Sequence, residues 1–334
     1  MACHIKHTWT ETEHIYPFPT TSPAVYKRRT SFCGAIICQR AAVTTPVQQS
    51  NSQPPMCPCV SDVMKLVAAI LLCLAASALC EKRIINGEAA ELYSHPYITS
   101  LQKLERSFFF SYWRHICGGS LIHEKYVLTA AHCLTGLKLS ELRVKLGALR
   151  LDSETSYESV RRVVKISIHE NYKENDFGIP NDIAILELDT PATLNKNVQV
   201  AEMAAEGSSF LNTECVLAGW GMIGTGQAAQ EATTLKEVNI TKIDSQRCND
   251  LWDGAGVTDK HICVHDASPP VGERPSACMG DSGGPMMCGP RHNILAGVTS
   301  WGERTCSGNY PSVYTRVSAY LGWIRSKAPG VFKN

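Results

Sequence analysis

A serine in a glycine-rich turn is the residue of this sequence best placed to act as a nucleophile. Ser282 lies in the sequence GDSGGP, where backbone N–H groups can converge on a reacting oxygen. A serine hydroxyl is a weak nucleophile until a base removes its proton. His132, in TAAHC, offers that base, and Asp182, in NDIAIL, offers the acid that orients it. Together the three residue types predict hydrolysis through a covalent ester on the serine.

The three motifs, in the chain order His, Asp, Ser, resemble those of the chymotrypsin/trypsin family of serine endopeptidases. The resemblance covers essentially all of the chain after Arg83. It implies that His132 is the general base and then the general acid, and that Asp182 holds the imidazole tautomer. It also implies that the backbone N–H groups of Gly280 and Ser282 stabilise the tetrahedral oxyanion. A non-catalytic extracellular binding protein on the same fold is the alternative, and the intact set of three residues argues against it.

Short strands between turns are the elements that must position these residues. Segments 143–146 and 163–168 alternate in character, and segments 217–221 and 295–302 are predicted to be buried strands that end at glycine. Many short strands at such spacing indicate an all-β barrel or sandwich. The family resemblance narrows this to two six-stranded antiparallel β-barrels with the active site between them. Helical spacing in segment 317–326 predicts a short C-terminal helix.

Cysteine usage points to an oxidising compartment. Of the 15 cysteines, eight follow residue 84, and an even set in one compact region suits a disulfide framework. No paired CxxC spacing occurs among the eight, which disfavours a zinc site. The sequence alone leaves the connectivity open. The family resemblance implies the pairs Cys117–Cys133, Cys215–Cys288, Cys248–Cys263 and Cys278–Cys306.

A secretory leader is predicted before the enzyme domain. An uncharged apolar run at 66–79 follows a basic start and is shorter than the roughly 20 residues that span a bilayer. We therefore expect a signal peptide at 64–80, a short activation peptide at 81–83 and a trypsin-like peptidase domain at 84–334. Residues 1–63 show no sustained period, and we expect them to be an over-extended gene model that is not part of the mature protein. A membrane-anchored protease with an uncleaved apolar run is the alternative to a secreted, extracellular monomer.

A basic pair before the sequence IING resembles the activation site of the family. The resemblance implies that an activating protease cleaves between Arg83 and Ile84. The new α-ammonium group of Ile84 is then expected to turn inward and pair with Asp281, which orders the neighbouring oxyanion hole. Ser100 and His115 lie where some zymogens of the family hold Asp281 before activation.

Three residues are expected to shape the primary substrate pocket. The resemblance places Ser276 at its floor, where a buried Lys or Arg of the substrate lacks a counter-charge. Gly302 leaves one wall open for a large ring, whereas Ser312 stands where chymotrypsin has glycine and narrows the slot. The balance predicts cleavage after Phe, Tyr, Leu or Met, with elastase-like cleavage after small residues as the alternative. Ser300 and Trp301, with Gly302, resemble the strand that pairs with the substrate backbone, and Ser300 is also expected to hydrogen-bond near the catalytic acid.

The remaining signals concern surface loops and metals. The aromatic insertion 108–113 is predicted to pack locally in a long loop, with a grip on the residues after the scissile bond or on a partner surface as the alternative. Glu158 matches one carboxylate of the family's calcium loop, but Ala148 occupies the other, so we expect no required metal. Asn239 begins an N-glycosylation sequon.

Charge and composition restrict the partners. The formal net charge is +1 and no long basic run occurs, which argues against a nucleic-acid binder. We expect protein or peptide substrates, an activating protease and protein protease inhibitors as partners, and no cofactor.

Overall fold

The computed structural model describes residues 87–174, 178–223 and 230–332. The chain divides into two units, Met1–Asp62 and Val63–Asn334, and every described residue belongs to the second. The predictions for the leader, the signal peptide and the activation site therefore fall on residues that lie outside the described ranges.

The described residues form sixteen strands and two α-helices, numbered here in chain order. The strands are β1 (Glu88–Ala89), β2 (Ile98–Arg106), β3 (Ser111–His123), β4 (Tyr126–Thr129), β5 (Leu142–Leu146), β6 (Ser159–Ile168), β7 (Ala184–Leu188), β8 (Glu202–Met203), β9 (Glu214–Gly219), β10 (Met222–Ile223), β11 (Gln230–Glu231), β12 (Lys236–Ile243), β13 (His261–Val264), β14 (Pro285–Cys288), β15 (Ile294–Trp301) and β16 (Ser312–Arg316). The helices are α1 (Ser245–Leu251) and α2 (Leu321–Lys327). Within these ranges no helix has the length and apolar character needed to cross a membrane.

Strands β2 to β7 close the first barrel. Its order is β2-β3-β4-β7-β6-β5, each neighbouring pair is antiparallel, and β5 pairs back onto β2. Successive side chains of a strand point to opposite faces, so alternate residues of each strand line the interior. Leu121, Leu128, Val144 and Ile185 are buried there in one apolar cluster.

The second barrel follows the same plan. Its order is β9-β12-β13-β16-β15-β14, and the pairing of β14 with β9 closes it. Strand β1 adds to the outside of β12, and β8 runs parallel to β15. Leu217, Ile262, Met286 and Tyr314 lie in its buried core. Two six-stranded antiparallel barrels and the short C-terminal helix α2 confirm the predicted fold class.

Two strands end earlier than the sequence patterns predict. Strand β9 ends at Gly219 rather than Gly221, and β15 ends at Trp301 rather than Gly302. The N–H of Gly221 is turned to the carboxylate of Asp281 instead of to a neighbouring strand. The end of β9 is thus set by a side chain from a distant part of the chain, which local sequence does not reveal.

Four disulfides cross-link the described residues. They join the cysteines in the same pairs as the family resemblance implies, namely Cys117–Cys133, Cys215–Cys288, Cys248–Cys263 and Cys278–Cys306. All eight sulfurs are therefore used in disulfides, which leaves no thiolate among them to bind zinc.

The hairpin between β2 and β3 carries the aromatic insertion. The N–H of Ser107 donates to the carbonyl of Phe110 at 2.8 Å and closes the tip. Phe108 is 101% exposed and Phe109 is 96% exposed, so the prediction that the insertion packs locally is wrong for these two rings. The strands extend the hairpin to this tip, where the rings meet solvent rather than a protein surface.

Candidate active site

The three predicted catalytic side chains come from both barrels. His132 opens a single 3-10 turn after β4, and Asp182 lies just before β7 of the first barrel. Ser282 lies just before β14 of the second barrel. Because Ser300 of β15 reaches Asp182 by a hydrogen bond, the three groups lie where the two barrels meet.

Asp182 is held by hydrogen bonds to both carboxylate oxygens. Its Oδ2 lies 2.7 Å from Nδ1 of His132 and accepts a hydrogen bond from Oγ of Ser300 at 2.5 Å. Its Oδ1 accepts the backbone N–H of His132 at 2.9 Å. The Asp182 side chain is completely buried, whereas that of His132 is 26% exposed. Because an ionised carboxylate can only accept, the proton of the neutral imidazole lies on Nδ1, and Nε2 is free to take another.

The charge of Asp182 sets the basicity of His132. Burial acts to lower the pKa of the imidazole, but the hydrogen bond and the negative charge of Asp182, helped by Glu174, raise the pKa of His132 above its ordinary value of 6.5. An imidazole with a raised pKa accepts a proton more readily, and the buried carboxylate stabilises the imidazolium that results. The pair can therefore act as a general base and afterwards as a general acid.

The turn that carries Ser282 is fastened directly to the first barrel. The N–H of Gly118 donates to the carbonyl of Ser282 at 2.7 Å. A Cβ atom at Gly283, whose φ is +74°, would lie 2.2 Å from Oγ1 of Thr129, the last residue of β4. Glycine at 283 thus lets the turn pack against the strand end that leads to His132. The Ser282 hydroxyl is partly exposed and has no hydrogen bond to another described residue, as is common for nucleophiles before substrate binds.

The predicted oxyanion hole contains two N–H groups with free hydrogens. Within the described part of the chain, the N–H groups of Gly280 and Ser282 donate to no protein acceptor. The carbonyl of Gly280 accepts a hydrogen bond from Nε2 of His115 at 2.9 Å, and Oγ of Ser100 donates to Nδ1 of His115 at 2.8 Å. Burial lowers the pKa of His115 to about 4, so this ring is neutral. Ser100 and His115 therefore hold the Gly280 carbonyl here, and their expected contact with Asp281 before activation stays a prediction.

The carboxylate of Asp281 lies in a buried site formed by Gly219, Gly221 and Cys278, called here its seat. Its carboxylate accepts the N–H of Gly221 at 2.8 Å and the N–H of Cys278 at 2.9 Å. A Cβ atom at Gly219 would lie 2.0 Å from Asp281 Oδ1, so the seat requires glycine there. Burial raises the pKa of Asp281 to about 6, against the opposite effect of the two N–H donors. The described residues place no cation against this carboxylate, and Ile84, its predicted partner, lies outside them.

A cavity of about 220 Å³ opens beside Ser282 and corresponds to the predicted substrate pocket. Ser312 lines it, whereas Ser276, the predicted floor, is buried behind Ser312 with 3.3 Å between the two Oγ atoms and is not among the lining residues. Ser276 Oγ also donates to the carbonyl of Ala277 at 2.9 Å. A Cβ atom at Gly302 would lie 3.8 Å from Cα of Ser312, so a side chain added at 302 would contact Ser312 in the pocket lining. Hydroxyl groups, rather than a carboxylate, meet at this buried end.

The strand beside the pocket is fixed by an aromatic cluster that the sequence did not reveal. Nε1 of Trp301 donates to the carbonyl of Gly178 at 3.0 Å, and the Trp301 ring packs edge-on against Trp252 with 5.2 Å between centroids. Trp252 in turn stacks on Tyr310 at 4.7 Å. Because Trp252 follows helix α1 and Tyr310 lies far from it in the chain, only the folded structure shows that they support Trp301 at the end of β15.

A second cavity of about 240 Å³ lies on the other side of Gly280. Its lining includes Arg114, whose guanidinium lies 3.8 Å from the Glu231 carboxylate. Met279 lines both this cavity and the pocket beside Ser282. Sequence reasoning missed Arg114 and Glu231, which are far apart in the chain and carry no motif.

The loop that resembles a calcium site contains an internal cation instead. Nζ of Lys145 lies 3.0 Å from Glu158 Oε2 and donates to the carbonyl of Ser153 at 2.8 Å. Both charged side chains are almost fully buried. The ammonium group of Lys145 thus neutralises Glu158, the carboxylate that the sequence singled out, and Ala148 contributes no oxygen ligand from its side chain.

Known proteases match the chain over most of its length. Residues 84–324 match the sequence pattern of the Trypsin family. The chain is 38% identical to "Fibrinolytic enzyme, isozyme C" of Lumbricus rubellus over 250 residues, which are 72% of this chain and 98% of that protein. It is 36% identical to "Chymotrypsin-like serine proteinase" of Haliotis rufescens over 274 residues, 79% of this chain and 100% of that protein. With "Trypsin Blo t 3" of Blomia tropicalis it shares 35% identity over 251 residues, 74% and 86% of the two chains. The chain therefore belongs to the trypsin family of serine endopeptidases.

Proposed function

We propose that this endopeptidase attacks the peptide carbonyl with Ser282, uses His132 as the base and relies on Asp182 to orient it. The observation that carries the proposal is the sequence of contacts from the buried carboxylate to Nδ1 of His132, which leaves Nε2 as the acceptor. The raised pKa of His132 supports the same role. The unpaired N–H groups of Gly280 and Ser282 supply the donors that acyl transfer needs.

The reaction then proceeds in two matched halves. Oγ of Ser282 bonds to the carbonyl carbon while its proton passes to Nε2 of His132, and the carbonyl electron pair moves onto oxygen. The N–H groups of Gly280 and Ser282 stabilise that oxyanion, and loss of one such donor costs about 2.7–4 kcal/mol in comparable enzymes. The electron pair returns, the C–N bond breaks, and the imidazolium protonates the leaving amine. Water repeats the sequence and releases the acid product.

The pocket favours cleavage after Phe, Tyr, Leu or Met. A substrate Lys or Arg at the buried end meets the hydroxyl group of Ser312, with that of Ser276 behind it, and an unpaired buried cation is strongly disfavoured. The carboxylate of Glu303 also lines the pocket, but it already accepts hydrogen bonds from Thr305 and Ser307. Gly302 places no side chain on the facing wall, which admits a ring. Elastase-like cleavage after small residues is the second candidate, because the hydroxymethyl group of Ser312 narrows the same slot.

We further propose that the chain is secreted and activated by cleavage after Arg83. The predicted signal peptide at 64–80 supports secretion, as do the four disulfides. Asp281 supports activation, because this buried carboxylate has two N–H donors but needs a cation to be fully compensated. The Ile84 ammonium group supplies that charge in the proposal. The mature enzyme works as a monomer on protein substrates and is subject to protein inhibitors.

Peptides that differ only in the residue before the scissile bond test the substrate proposal. We expect kcat/KM for Phe or Leu to exceed that for Ala and Arg, and Ser282→Ala to abolish all turnover. Gly302→Val should make kcat/KM for Ala the highest, since the valine side chain contacts Ser312 and fills the pocket. Ser312→Gly should raise kcat/KM for substrates with the largest rings. Preference for Ala by the unchanged enzyme establishes the elastase-like candidate. Preference for Arg contradicts both candidates.

A further inference from the structure

The aromatic tip of the β2–β3 hairpin is an apolar surface that catalysis does not use. Phe108 and Phe109 are fully exposed, Phe110 is 61% exposed, and its ring centroid lies 5.9 Å from that of Tyr112. Apolar side chains of this size normally dominate cores and interfaces, so three adjacent exposed rings indicate a binding surface.

The tip lies too far from the catalytic residues to hold the first residues after the scissile bond. His115, which binds the carbonyl of Gly280, is on the same strand as the base of the hairpin. A strand rises about 3.3 Å per residue, which places Phe109 roughly 20 Å along the hairpin from His115. A substrate must extend by about six residues to reach the tip, so direct substrate contact explains it poorly.

The hairpin changes from apolar at its tip to charged and polar below it. Directly below the phenylalanines, Arg106 pairs across the hairpin with Ser111, and Glu105 pairs with Tyr112 one step further from the tip. Nearby cations are matched by acids: Arg114 lies 3.1 Å from Glu105, and Arg106 lies 3.7 Å from Glu141. An apolar tip that is followed at once by paired charges and a tyrosine limits the part of the hairpin that can enter hydrocarbon to residues 108–110, with the polar groups left at the interface.

We propose that residues 108–110 insert into the interface of a zwitterionic lipid bilayer and attach the enzyme reversibly to membranes. A protruding tip suits a soft lipid interface, whereas a folded partner needs a pocket shaped to receive the rings. The matched charges at the base remove the cationic excess that recognition of anionic lipid requires. Anchoring by a few apolar side chains is shallow and reversible.

Vesicles of phosphatidylcholine provide the test, with the full chain carrying Ser282→Ala to prevent self-digestion. We expect Phe108→Ser/Phe109→Ser/Phe110→Ser to lower vesicle binding at least about tenfold. The matched control, Val164→Ser with Leu211→Ser, removes two exposed apolar side chains elsewhere and should leave binding unchanged. In the background that retains Ser282, the triple variant should keep its melting temperature and its hydrolysis of short peptides.

A tryptophan at the tip reports insertion locally, independently of any other apolar segment in the chain. We expect Phe109→Trp to show a blue shift with vesicles and quenching by lipids brominated in the upper acyl chain, beyond that of the unchanged protein. Binding should persist in high salt, because the proposed contact is apolar. Equal vesicle binding by the triple variant, or absence of quenching at the tip, overturns the proposal. Tip-dependent self-association without vesicle binding assigns the surface to a second copy of the chain and also overturns it.

Discussion

Asp182 and Asp281 are both buried carboxylates of the same active site, but their surroundings differ. Asp182 accepts hydrogen bonds from His132 and Ser300, and one of these partners can itself become a cation. Asp281 accepts only backbone N–H groups from the described residues, those of Gly221 and Cys278, and burial raises its pKa to about 6. The comparison shows that the first carboxylate has a partner that can carry a positive charge within the folded barrels, whereas the described residues give the second carboxylate none.

The largest expected loss of activity comes from neutralising Asp182, the carboxylate that contacts His132. Asp182→Asn replaces an acceptor by a group that can donate to Nδ1 of His132, which favours the wrong tautomer. We expect kcat to fall about 10⁴-fold with little change in fold, as for the same substitution in comparable enzymes. Steady-state kinetics and the melting temperature check this. A loss below tenfold contradicts the role given to Asp182.

Neutralising Asp281 should affect the cleaved and uncleaved chains differently. In the cleaved enzyme, Asp281→Asn leaves the Ile84 ammonium group unpaired and disorders the oxyanion hole, so we expect kcat to fall about 10²–10³-fold. Breaking the buried pair should also cost the cleaved form about 3–5 kcal/mol of unfolding free energy. The uncleaved form should lose no stability, because burial of an amide costs less than burial of a charge. Equal losses in both forms contradict the proposed switch.

Asp281 and the His132–Asp182 pair should affect the free energy of unfolding in different pH ranges. A carboxylate whose folded pKa is raised loses stability as pH rises, so Asp281 should weaken the uncleaved chain by roughly 3 kcal/mol between pH 3.8 and about 6. The raised pKa of His132 gives stabilisation that is complete below pH 6.5 and is lost as pH rises through the folded value. Denaturant titrations should show that Asp281→Asn removes the lower window alone and that Asp182→Asn removes the upper one. Unchanged profiles in both variants contradict these assignments.

Filling the seat of Asp281 should cost less than removing its charge. A Cβ atom at Gly219 would lie 2.0 Å from Asp281 Oδ1, so Gly219→Ala forces the carboxylate to shift. We expect a loss of about 1–3 kcal/mol in unfolding free energy and a reduced kcat. Gly322→Ala, in helix α2 with open space around its Cβ position, is the matched control and should be neutral or stabilising. Equal effects of the two substitutions would show that Gly219 does not shape the seat.

The smallest loss of activity is expected from removing the hydrogen bond that Ser300 donates to Asp182. Ser300→Ala removes one donor to Asp182 but leaves both contacts from His132 in place. We expect a loss of about 1.5 kcal/mol, the lower end for a hydrogen bond to a charged group, which is roughly tenfold in kcat/KM. A loss as large as that of Asp182→Asn shows that Ser300 positions the carboxylate as much as His132 does.

Sequence patterns were sufficient for the all-β class and for the motifs around the nucleophile, and the family resemblance narrowed the class to two barrels. His132, Asp182 and Ser282 lie in local motifs, and the alternation of apolar and polar residues in the strands can be recognised from the sequence alone. The resemblance to known proteases supplied the disulfide pairs, which spacing alone leaves open. The expected hydrogen bond of Ser300 near Asp182 is also present in the structure.

What the sequence missed depends on contacts between distant segments. Lys145 compensates Glu158 by an ion pair that no motif encodes. His115 binds the carbonyl of Gly280 in the fold, a contact with a distant backbone group that no motif encodes. Exposure of Phe108 was mispredicted because composition does not show that the hairpin carries the ring beyond the barrel.

In the proposed switch, Ser282 and its oxyanion hole become reactive when the Ile84 ammonium group compensates Asp281. The most direct measurement is the rate at which a fluorophosphonate probe labels Ser282 before and after cleavage at Arg83, with the new N-terminus verified by mass spectrometry. We predict fast labelling of the cleaved chain, slow labelling of the uncleaved chain, and slow labelling of cleaved Asp281→Asn. Equally fast labelling of all three proteins would contradict the account.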